Sequence, residues 1–310
     1  MTKSVVAERY GGPEVLAVHD VELPPPGEGQ VLVAVRAAGT NPVDYKLYSG
    51  QMGADPAALP MPVGMEAAGV VVEAPARANG YTGPLQAGDE VIVTNISNAY
   101  SDHVIAPAEE VGHKPANLTF EEAAGLLLVG ETAWHLLTNT KVGTGDTVLI
   151  HGAAGGVGQM AVQLAVARGA RVIATASPAR HERLRLLGAE PVEYGPGLAD
   201  RVSALGVPDV ALDLVGTDEA LDTSVELVAD RTRIATIAGF ARAGELGIAA
   251  LTGADGGQAV RDAARPELIK LAAAGQLKVT VDKVFPLADA ADAHRYLQTG
   301  HANGKVVLVP

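Results

Sequence analysis

Thr147-Val-Leu-Ile-His-Gly-Ala-Ala-Gly-Gly-Val-Gly158 is the stretch that decides the fold of this chain. An apolar strand runs directly into a glycine-rich turn, and a helix with apolar residues at helical spacing follows. Gly152, Gly155 and Gly158 recur every third residue, so the backbone can turn sharply and approach a pyrophosphate closely. The alternative is a tight turn that binds nothing. The order of strand, glycines, helix and second strand (Arg171-Val-Ile-Ala-Thr-Ala176) favours a dinucleotide site at the helix N-terminus.

The composition is that of a large α/β protein. The 310 residues include 36 glycines and only 4% aromatic residues, and this length predicts two domains. The net charge of -13 argues against a nucleic-acid partner, because phosphate binding needs a positive surface. No stretch of the sequence has the length and apolarity of a membrane span or of a signal peptide's core. We therefore expect a cytoplasmic protein that binds neither nucleic acid nor membrane.

The sequence offers few ligands for metals. It contains no cysteine, which excludes disulfides, thiolate nucleophiles and zinc sites built from Cys. Its eight histidines lie apart, and none forms an HxH or HxxxH pair. We therefore expect no metal site.

Residues 1 to about 120 have a β-rich pattern. Short apolar runs at 30–36, 69–73 and 90–94 alternate with turns rich in Pro and Gly, which is typical of a partly closed barrel. Thr119-Phe-Glu-Glu122 is a capping box that begins a helical stretch reaching about residue 138. Strands and helices then alternate, which indicates a parallel sheet covered on both faces. The predicted strands are 147–151, 171–176, 209–214 and 232–238, and the predicted helices are 157–168, 178–188 and 217–228.

The pattern of the C-terminal tail has two interpretations. Helices at about 266–274 and 288–298 alternate with strands at 278–284 and 305–309. This tail either extends the parallel sheet or returns to the first domain, and the pattern alone does not decide between them.

The end of the second strand of the nucleotide-binding region indicates which cofactor is used. NAD-specific sites carry an acid about 20 residues after the glycines, but here Ala176-Ser177-Pro178 stands there and no acid comes before Glu182. Arg180 and His181 in the first turn of a helix oppose its dipole, so an anion is expected beside them. The Ser177 hydroxyl and the Arg180 guanidinium suit a 2′-phosphate. Ser177 also fits an N-cap, which is compatible with binding. The sequence therefore predicts NADPH rather than NADH.

Six motifs, spread over nearly the whole chain, carry a family resemblance. With them the chain resembles the zinc-free quinone oxidoreductase branch (the zeta-crystallin-like proteins) of the medium-chain dehydrogenase/reductase superfamily. The motifs are Gly39-Thr-Asn-Pro-Val-Asp-Tyr-Lys46, Gly64-Met-Glu-Ala-Ala-Gly69, Gly88-Asp-Glu-Val91, Gly130-Glu-Thr-Ala-Trp134, Ala153-Ala-Gly-Gly-Val-Gly158 and Gly304-Lys-Val-Val-Leu308.

The resemblance implies an α/β protein with two domains. A GroES-like β-barrel catalytic domain is expected from residues 1–120 and 265–310, so that the tail returns to the first domain. A Rossmann NADP(H)-binding domain with a doubly wound parallel sheet is expected from residues 121–264. Family members commonly form dimers by joining the edges of their Rossmann sheets, and the run 247–251 is the candidate edge here.

Two departures from the zinc-binding relatives bear on the chemistry. Asn41 stands where those relatives carry a metal-ligand Cys, and Met65 stands where they carry a metal-ligand His. Without a metal, Lewis-acid polarisation of a carbonyl is not expected. The resemblance then implies an acceptor that is already electrophilic, namely a quinone or an activated alkene such as an enone or enal.

The catalytic candidates follow from the same resemblance and share one predicted loop. They are Asn41, Tyr45, Lys46 and Tyr48. Lys46 is the first to test, as a charge contact for a developing enolate or for the cofactor's phosphate, although a solvated surface lysine fits the same position. Tyr45 and Tyr48 are expected to be pocket walls rather than proton donors. Glu66 matches the family's acid and, without zinc, is expected to have a structural or hydrogen-bonding role rather than a catalytic one.

The cofactor-binding candidates come from the glycine loop, the strand ends and the matched motifs. Thr132 is expected to hydrogen-bond near the nicotinamide amide, with a role in helix capping or helix packing as the alternative. Tyr194 is expected near the adenosine, with turn packing as the alternative. The full set is Thr132, Ala154, Gly155, Gly156, Val157, Ser177, Arg180, Tyr194, Val215, Ala238, Gly239, Phe240 and Lys305.

The sequence therefore predicts an NADPH-dependent, zinc-independent oxidoreductase that transfers a hydride to a quinone or an activated alkene. A dedicated enoyl or enone reductase of a biosynthetic pathway uses the same cofactor domain, so the glycine loop does not separate the two. A non-catalytic NADPH-binding scaffold or sensor is a third hypothesis. The expected partners are a small electrophilic substrate and a second copy of the chain.

Overall fold

The computed structural model describes residues 1–254 and 256–310, which divide into two compact units. The first unit comprises Met1–Leu128, Pro266–Gly275 and Val279–Pro310, and the second comprises Val129–Arg265 and Gln276–Lys278. None of the helices in these residues is long and apolar enough to cross a membrane.

The strands and helices have the following bounds. The strands are β1 (Thr2–Ala7), β2 (Leu16–Val21), β3 (Gln30–Gly39), β4 (Met61–Pro62), β5 (Glu66–Glu73), β6 (Asn79–Gly80), β7 (Gly83–Pro84), β8 (Glu90–Val93), β9 (His103–Pro107), β10 (Val111–His113), β11 (Thr147–His151), β12 (Arg171–Thr175), β13 (Glu190–Val192), β14 (Val210–Asp213), β15 (Ile234–Thr236), β16 (Ala249–Ala250), β17 (Val281–Pro286) and β18 (Lys305–Val309). The α-helices are α1 (Pro42–Tyr48), α2 (Phe120–Ala123), α3 (Leu127–Asn139), α4 (Gly156–Ala167), α5 (His181–Leu186), α6 (Leu198–Leu205), α7 (Asp218–Leu227), α8 (Phe240–Leu246), α9 (Gly257–Ala273) and α10 (Ala290–Gln298).

The first unit is built on β-sheets. One sheet has the order β10-β8-β5-β3-β18-β17, with β9 also paired to β3, and a second has the order β2-β1-β4. Alternate apolar side chains of β3, among them Val31, Val33 and Val35, are buried in the core. The C-terminal strand β18 pairs antiparallel with β3, so the tail belongs to the first unit.

The register around the end of β3 positions the residues of interest in the first unit. Gly39 pairs with Glu66 of β5 on one side and with Val307 of β18 on the other. A Cβ atom at Gly39 would lie 2.2 Å from the carbonyl oxygen of Ala124, so only glycine fits there. The residues after Gly39, the start of β5 and the start of β18 are therefore neighbours.

The second unit contains one parallel sheet of the predicted doubly wound type. Its strand order is β13-β12-β11-β14-β15-β16, and every adjacent pair is parallel. The order reverses between β11 and β14, and ligands bind outside the carboxyl ends of the strands at such a point. Leu149, Ile173, Ala211 and Ile234 from four of these strands form the buried core with residues of the covering helices.

Several elements differ from their predicted bounds. The helix predicted from residue 266 begins at Gly257 and continues through Pro266, because the buried Ala264 and Leu268 on either side keep it packed. The helix predicted at 178–188 is a short 3-10 turn followed by α5. Residues 121–128, assigned to the second domain from the sequence, group with the first unit, because α2 packs on β3 and β5.

Candidate active site

Two positions in the glycine loop after β11 have no room for a side chain. Gly152 adopts a left-handed φ of 72°, and a Cβ there would lie 2.6 Å from Cγ1 of Val215. A Cβ on Gly158 would lie 2.4 Å from the carbonyl oxygen of Gly152, so the absence of a side chain lets α4 pack against the loop. Gly155 differs, since the nearest atom to its Cβ would be 3.6 Å away.

The N-terminus of α4 presents backbone donors. The N-cap residue Gly155 supplies no side-chain cap, and the first N–H groups of a helix have no partners within it. The helix dipole also favours an anion at this end. The loop is held by Gln159, whose Nε2 donates to the carbonyl oxygen of Ala154 at 2.7 Å. The predicted residues Ala154, Gly155, Gly156 and Val157 are all half-buried and lie together here, and they fit a pyrophosphate.

The end of β12 carries the residues predicted to select the cofactor. Ser177 precedes the turn Pro178–Arg180, and its hydroxyl makes no capping hydrogen bond to that turn. Arg180 is half-buried. Nε2 of His181 lies 3.1 Å from the carbonyl oxygen of Ala176, so this ring is hydrogen-bonded to the backbone. Arg180 stays the residue predicted to contact a 2′-phosphate.

A buried carboxyl–hydroxyl pair shapes the ends of β14 and β15. Oδ1 of the fully buried Asp213 accepts the N–H of Val215 at 3.1 Å. The Thr236 hydroxyl donates to Asp213 at 2.5 Å and accepts the N–H groups of Ala238 and Gly239 at 3.0 and 2.7 Å. Three predicted cofactor residues are thus positioned by two residues that the sequence reasoning missed. The signal for Asp213 was an acid inside an apolar strand.

The remaining predicted residues of the second unit differ in exposure. Thr132 on α3 is buried, with 7% of its surface exposed. Tyr194, Val215 and Phe240 expose between 44% and 56% of their surfaces, which leaves their side chains open to a ligand. His151, opposite Asp213 in the neighbouring strand, is buried, and burial lowers its pKa to about 4, so its ring is neutral at physiological pH.

In the first unit, the predicted loop at 41–48 is a helix. Asn41 is its N-cap, Pro42 is its first residue, and the carboxylate of Asp44 accepts the N–H of Asn41 at 2.8 Å. An N-cap Asn, a first-position Pro and an acid at the third position are established signals for a helix start. The expectation of a loop was therefore wrong.

A buried ion pair surrounds Asn41. Nζ of Lys305 donates to the carbonyl oxygen of Thr40 at 2.9 Å, to Oδ1 of Asn41 at 2.7 Å and to Oε1 of Glu66 at 2.8 Å. Glu66 also accepts Nδ2 of Asn41 at 3.0 Å and the N–H of Leu128 at 3.0 Å. Lys305 and Glu66 expose 4% and 0% of their surfaces. All three donors of the ammonium group are used here, so a cofactor contact by Lys305 requires the exchange of one of these bonds.

A second buried network links α1 to α10. The Tyr100 hydroxyl donates to Oδ2 of Asp44 at 2.7 Å and lies 3.0 Å from Nε2 of His294. Nδ1 of His294 lies 2.8 Å from the Tyr48 hydroxyl. Because Tyr100 donates to Asp44, Nε2 of His294 donates to Tyr100, and Nδ1 accepts from Tyr48. Sequence reasoning missed Asp44, Tyr100 and His294; only Asp44, within a quoted motif, offered a local signal.

The four predicted catalytic residues are therefore placed differently from one another. Tyr48 is fully buried and stacked on His294 in the core, so it offers no wall to a pocket, contrary to expectation. Asn41 is buried within the ion pair. Tyr45 and Lys46 on α1 are half-buried and keep accessible surface.

Asn41 and Met65 occupy the two positions at which zinc-binding relatives have metal ligands, and each has a different environment here. Asn41 binds Lys305 and Glu66 as described, and Met65 is half-buried immediately before β5. Within residues 1–254 and 256–310, no group of three or more His, Asp or Glu side chains could hold a metal ion.

Comparison with known proteins places this geometry in a family. An alcohol dehydrogenase GroES-like domain model matches residues 27–125, and a zinc-binding dehydrogenase model matches residues 187–308. A quinone oxidoreductase of Pseudomonas aeruginosa is 34% identical over 100% of both chains. An NADPH-dependent alkenal/one oxidoreductase of Arabidopsis thaliana chloroplasts is 31% identical over 99% of this chain and 79% of that protein. The structure of Escherichia coli quinone oxidoreductase complexed with NADPH matches 100% of both chains with a TM-score of 0.86 and 28% identity.

The fold and the site define an oxidoreductase with a nicotinamide-binding Rossmann unit and a GroES-like unit. The chain belongs to the zinc-free quinone oxidoreductase branch of the medium-chain dehydrogenase/reductase superfamily. The predicted family, fold class and enzyme class are confirmed.

Proposed function

We propose that this protein is an NADPH-dependent reductase that transfers a hydride to a quinone or to an activated alkene such as an enone or enal. The observation that carries the proposal is the N-terminus of α4, which lies behind a glycine loop and has no side-chain cap. When bound, the nicotinamide cofactor supplies the hydride. The residues of this chain bind and orient the two reactants.

Backbone groups and one cation hold the phosphates in this proposal. The N–H groups of Gly156 and Val157, with the adjacent Ala154 and Gly155, receive the pyrophosphate; the N–H of Gly155 itself donates to the carbonyl oxygen of Gly152 at 3.2 Å. Ser177 and Arg180 receive the 2′-phosphate, since Arg binds phosphate oxygens through paired N–H groups. The absence of an acid from the end of β12 to residue 181 supports NADPH over NADH.

The other predicted residues line the remainder of the cofactor. Thr132 binds near the nicotinamide amide, Tyr194 packs near the adenosine, and Val215 and the run 238–240 contact the cofactor from the carboxyl ends of β14 and β15. Lys305 stays a predicted contact that competes with its buried ion pair.

On the acceptor side, Tyr45 and Lys46 of α1 contact the substrate in this proposal. Lys46 places a positive charge beside the oxygen on which negative charge develops. Asn41 acts by holding the start of α1 in place through Glu66 and Lys305.

The cofactor assignment is tested with Arg180→Met and, as a matched control, Arg185→Met, an exposed arginine on α5, the helix that follows Arg180. A hydrogen bond to a charged group is worth about 1.5 to 3 kcal/mol, so we expect Arg180→Met to weaken NADPH binding about tenfold or more. NADH binding and the control variant should stay unchanged. Equal losses for NADPH and NADH would contradict the 2′-phosphate contact.

The acceptor is identified by NADPH oxidation with a panel of quinones, 2-alkenals and cyclic enones. The alkenal-reducing relative supports a second candidate, a dedicated enone reductase, which predicts rapid turnover of alkenals and slow reduction of quinones. Saturable NADPH binding without turnover of any acceptor would favour the scaffold hypothesis and overturn the proposal.

We also propose a homodimer formed through β16, the terminal strand of the parallel sheet. Analytical ultracentrifugation measures the state directly, and a monomer at micromolar concentration would refute it. The cytoplasmic location and the lack of nucleic-acid and membrane partners stay predictions.

A further inference from the structure

One arginine of the second unit holds the loop that carries Tyr194. This loop, residues 193–197, connects β13 to α6 and is called the β13 loop below. The guanidinium group of Arg201 on α6 donates to three backbone carbonyl oxygens of the β13 loop. They belong to Glu193, Pro196 and Gly195, which are bonded to Nε, Nη1 and Nη2 at 2.9, 2.7 and 2.7 Å. Because the donors of a guanidinium lie in one rigid plane, a single side chain fixes the path of the loop.

The β13 loop is also tied to the helix that follows β14. The N–H of Gly195 donates to the carboxylate of Glu219 on α7 at 2.9 Å. In the parallel sheet, β12 and β11 lie between β13 and β14, so this bond joins segments that follow strands on either side of those two. The predicted sites for the 2′-phosphate and the pyrophosphate follow β12 and β11. The β13 loop therefore belongs to the carboxyl edge of the sheet, where ligands of such sheets bind.

The position of Tyr194 within the β13 loop makes its ring a prepared surface. Arg201 bonds the residue before Tyr194 and the two residues after it, so the backbone is fixed on both sides of the ring. The side chain itself is not packed away, since Tyr194 exposes 56% of its surface. An exposed aromatic ring is a surface on which a base stacks. Because the loop is already ordered, stacking does not have to compensate for the entropy of ordering it.

We propose that Arg201 is a positioning residue for the adenine end of the cofactor, and that with Glu219 it holds the β13 loop so that the ring of Tyr194 stacks on the adenine. This inference rests on the proposed function, in which Tyr194 packs near the adenosine, and it adds the two residues that orient that contact. Arg201 acts through Tyr194 rather than through the 2′-phosphate. Its removal therefore weakens the binding of NADPH and of NADH by the same factor, in contrast to the removal of Arg180.

Arg201→Met, Tyr194→Ala and the double variant test the inference by calorimetric titration with NADPH and with NADH. Stacking of a base on an aromatic ring is worth about a factor of ten in affinity, so Tyr194→Ala should raise Kd by that factor for both cofactors. We expect Arg201→Met to raise both Kd values about fivefold, because the loop must then be ordered on binding. In the double variant, Kd should lie within about twofold of the Tyr194→Ala value, since no ring remains to be positioned.

Arg231→Met is the matched control. The guanidinium of Arg231 also donates to a backbone carbonyl oxygen, that of Val225, but Arg231 precedes β15 and so lies at the amino edge of the sheet. Both Kd values should stay within about twofold of the wild-type values, because the cofactor binds at the other edge. Urea unfolding verifies that each variant is folded. If Arg201→Met does not fold, Glu219→Met releases the same loop from α7 and is compared with Tyr194→Ala in the same way.

Three results would overturn the inference while leaving the proposed function intact. The first is a folded Arg201→Met variant that binds both cofactors as the wild type does. The second is a loss confined to NADPH, which would make Arg201 a contact of the 2′-phosphate. The third is the same fold-change from Arg201→Met with and without Tyr194→Ala, which would mean that Arg201 does not act through that ring. A wild-type protein that binds neither NADPH nor NADH would overturn the proposed function, and this inference with it.

Discussion

The second unit builds its candidate site from backbone, whereas the first unit builds its own from buried side chains. In the second unit the loop geometry depends on the missing side chains of Gly152 and Gly158 and on the N–H groups of α4. In the first unit, Lys305 and Glu66 are buried as a pair. The site in the second unit therefore depends on the absence of side chains at two glycines. The site in the first unit depends on the pairing of two buried opposite charges.

This difference between the two sites predicts which kind of substitution destabilises each unit. A side chain added to a backbone-built loop forces the backbone to move and costs about 1 to 3 kcal/mol. Removing one partner of a buried ion pair leaves an uncompensated charge and costs about 3 to 5 kcal/mol. The two units should thus respond to different kinds of substitution, and four substitutions examine this contrast.

The largest effect is expected for Lys305→Met, which keeps the apolar stem and removes the ammonium group. Glu66 is then left buried without its cation, and Asn41 and Thr40 lose a donor. We expect the free energy of unfolding in urea to fall by about 3 to 5 kcal/mol.

The control for this variant is the double substitution Lys305→Met with Glu66→Gln. Removing the second charge should restore a large part of the lost stability, because no isolated carboxylate remains. A single variant as stable as the wild type would show that the pair is not what stabilises this part of the unit.

The second effect concerns the pH dependence of stability at Asp44. Its pKa is about 7 in the folded chain and 3.8 as the ordinary value, so the folded state binds an additional proton between these values. Stability from this group is fully present below about pH 4 and is lost as the pH rises through 7. Relative to the wild type, Asp44→Asn should gain about 3 to 4 kcal/mol over this window, at about 1.4 kcal/mol per pH unit.

Urea unfolding at intervals of pH measures this difference directly. The contribution of His294, whose low pKa reduces stability on the acid side, is common to both proteins and cancels in the comparison. Parallel stability curves for wild type and Asp44→Asn would contradict the raised pKa of Asp44.

The backbone-built site could be predicted from the sequence because each of its demands is local. A left-handed φ and a close approach of helix to strand both require glycine. The glycines at positions 152 and 158 therefore predict these two features from the sequence alone. The alternation of strands and helices after residue 147 likewise predicts a parallel sheet from neighbouring residues alone. The parallel sheet and the glycine loop could therefore be predicted from the sequence.

The side-chain-built sites could not be predicted because their partners are distant in sequence. Lys305 and Glu66 are 239 residues apart, and no local pattern marks Tyr100 or His294 as neighbours of Asp44. The burial of Tyr48 follows from the packing of α1 against α10, which a single sequence does not specify. The start of α1 differs from these cases, because its N-cap Asn41, first-position Pro42 and third-position Asp44 are local signals for a helix that was predicted as a loop.

The third effect concerns the absence of a side chain at Gly158 in the second unit. A Cβ on Gly158 would meet backbone atoms of Gly152 and Ala153 at 2.4 to 2.6 Å, so Gly158→Ala should lose about 1 to 3 kcal/mol of stability and also weaken NADPH binding. Gly155→Ala is the matched variant, with no contact closer than 3.6 Å. It should keep its stability within about 0.5 kcal/mol and lose only cofactor affinity. Equal thermal stability of the two variants would refute the packing role of Gly158.

The smallest effect is expected where the second unit has an ion pair at its surface. Arg171 and Glu190 join adjacent strands through two hydrogen bonds of 2.5 and 2.7 Å, yet 41% and 46% of their side chains are exposed. Water and salt screen such a pair, so Arg171→Met should cost no more than about 1 kcal/mol, and less at about 1 M salt. Both bonds are shorter than the 2.8 Å bond between Lys305 and Glu66, so geometry alone would predict the larger loss here. A loss equal to that of Lys305→Met, measured under the same urea conditions, would mean that bond geometry rather than burial sets the difference between the two units.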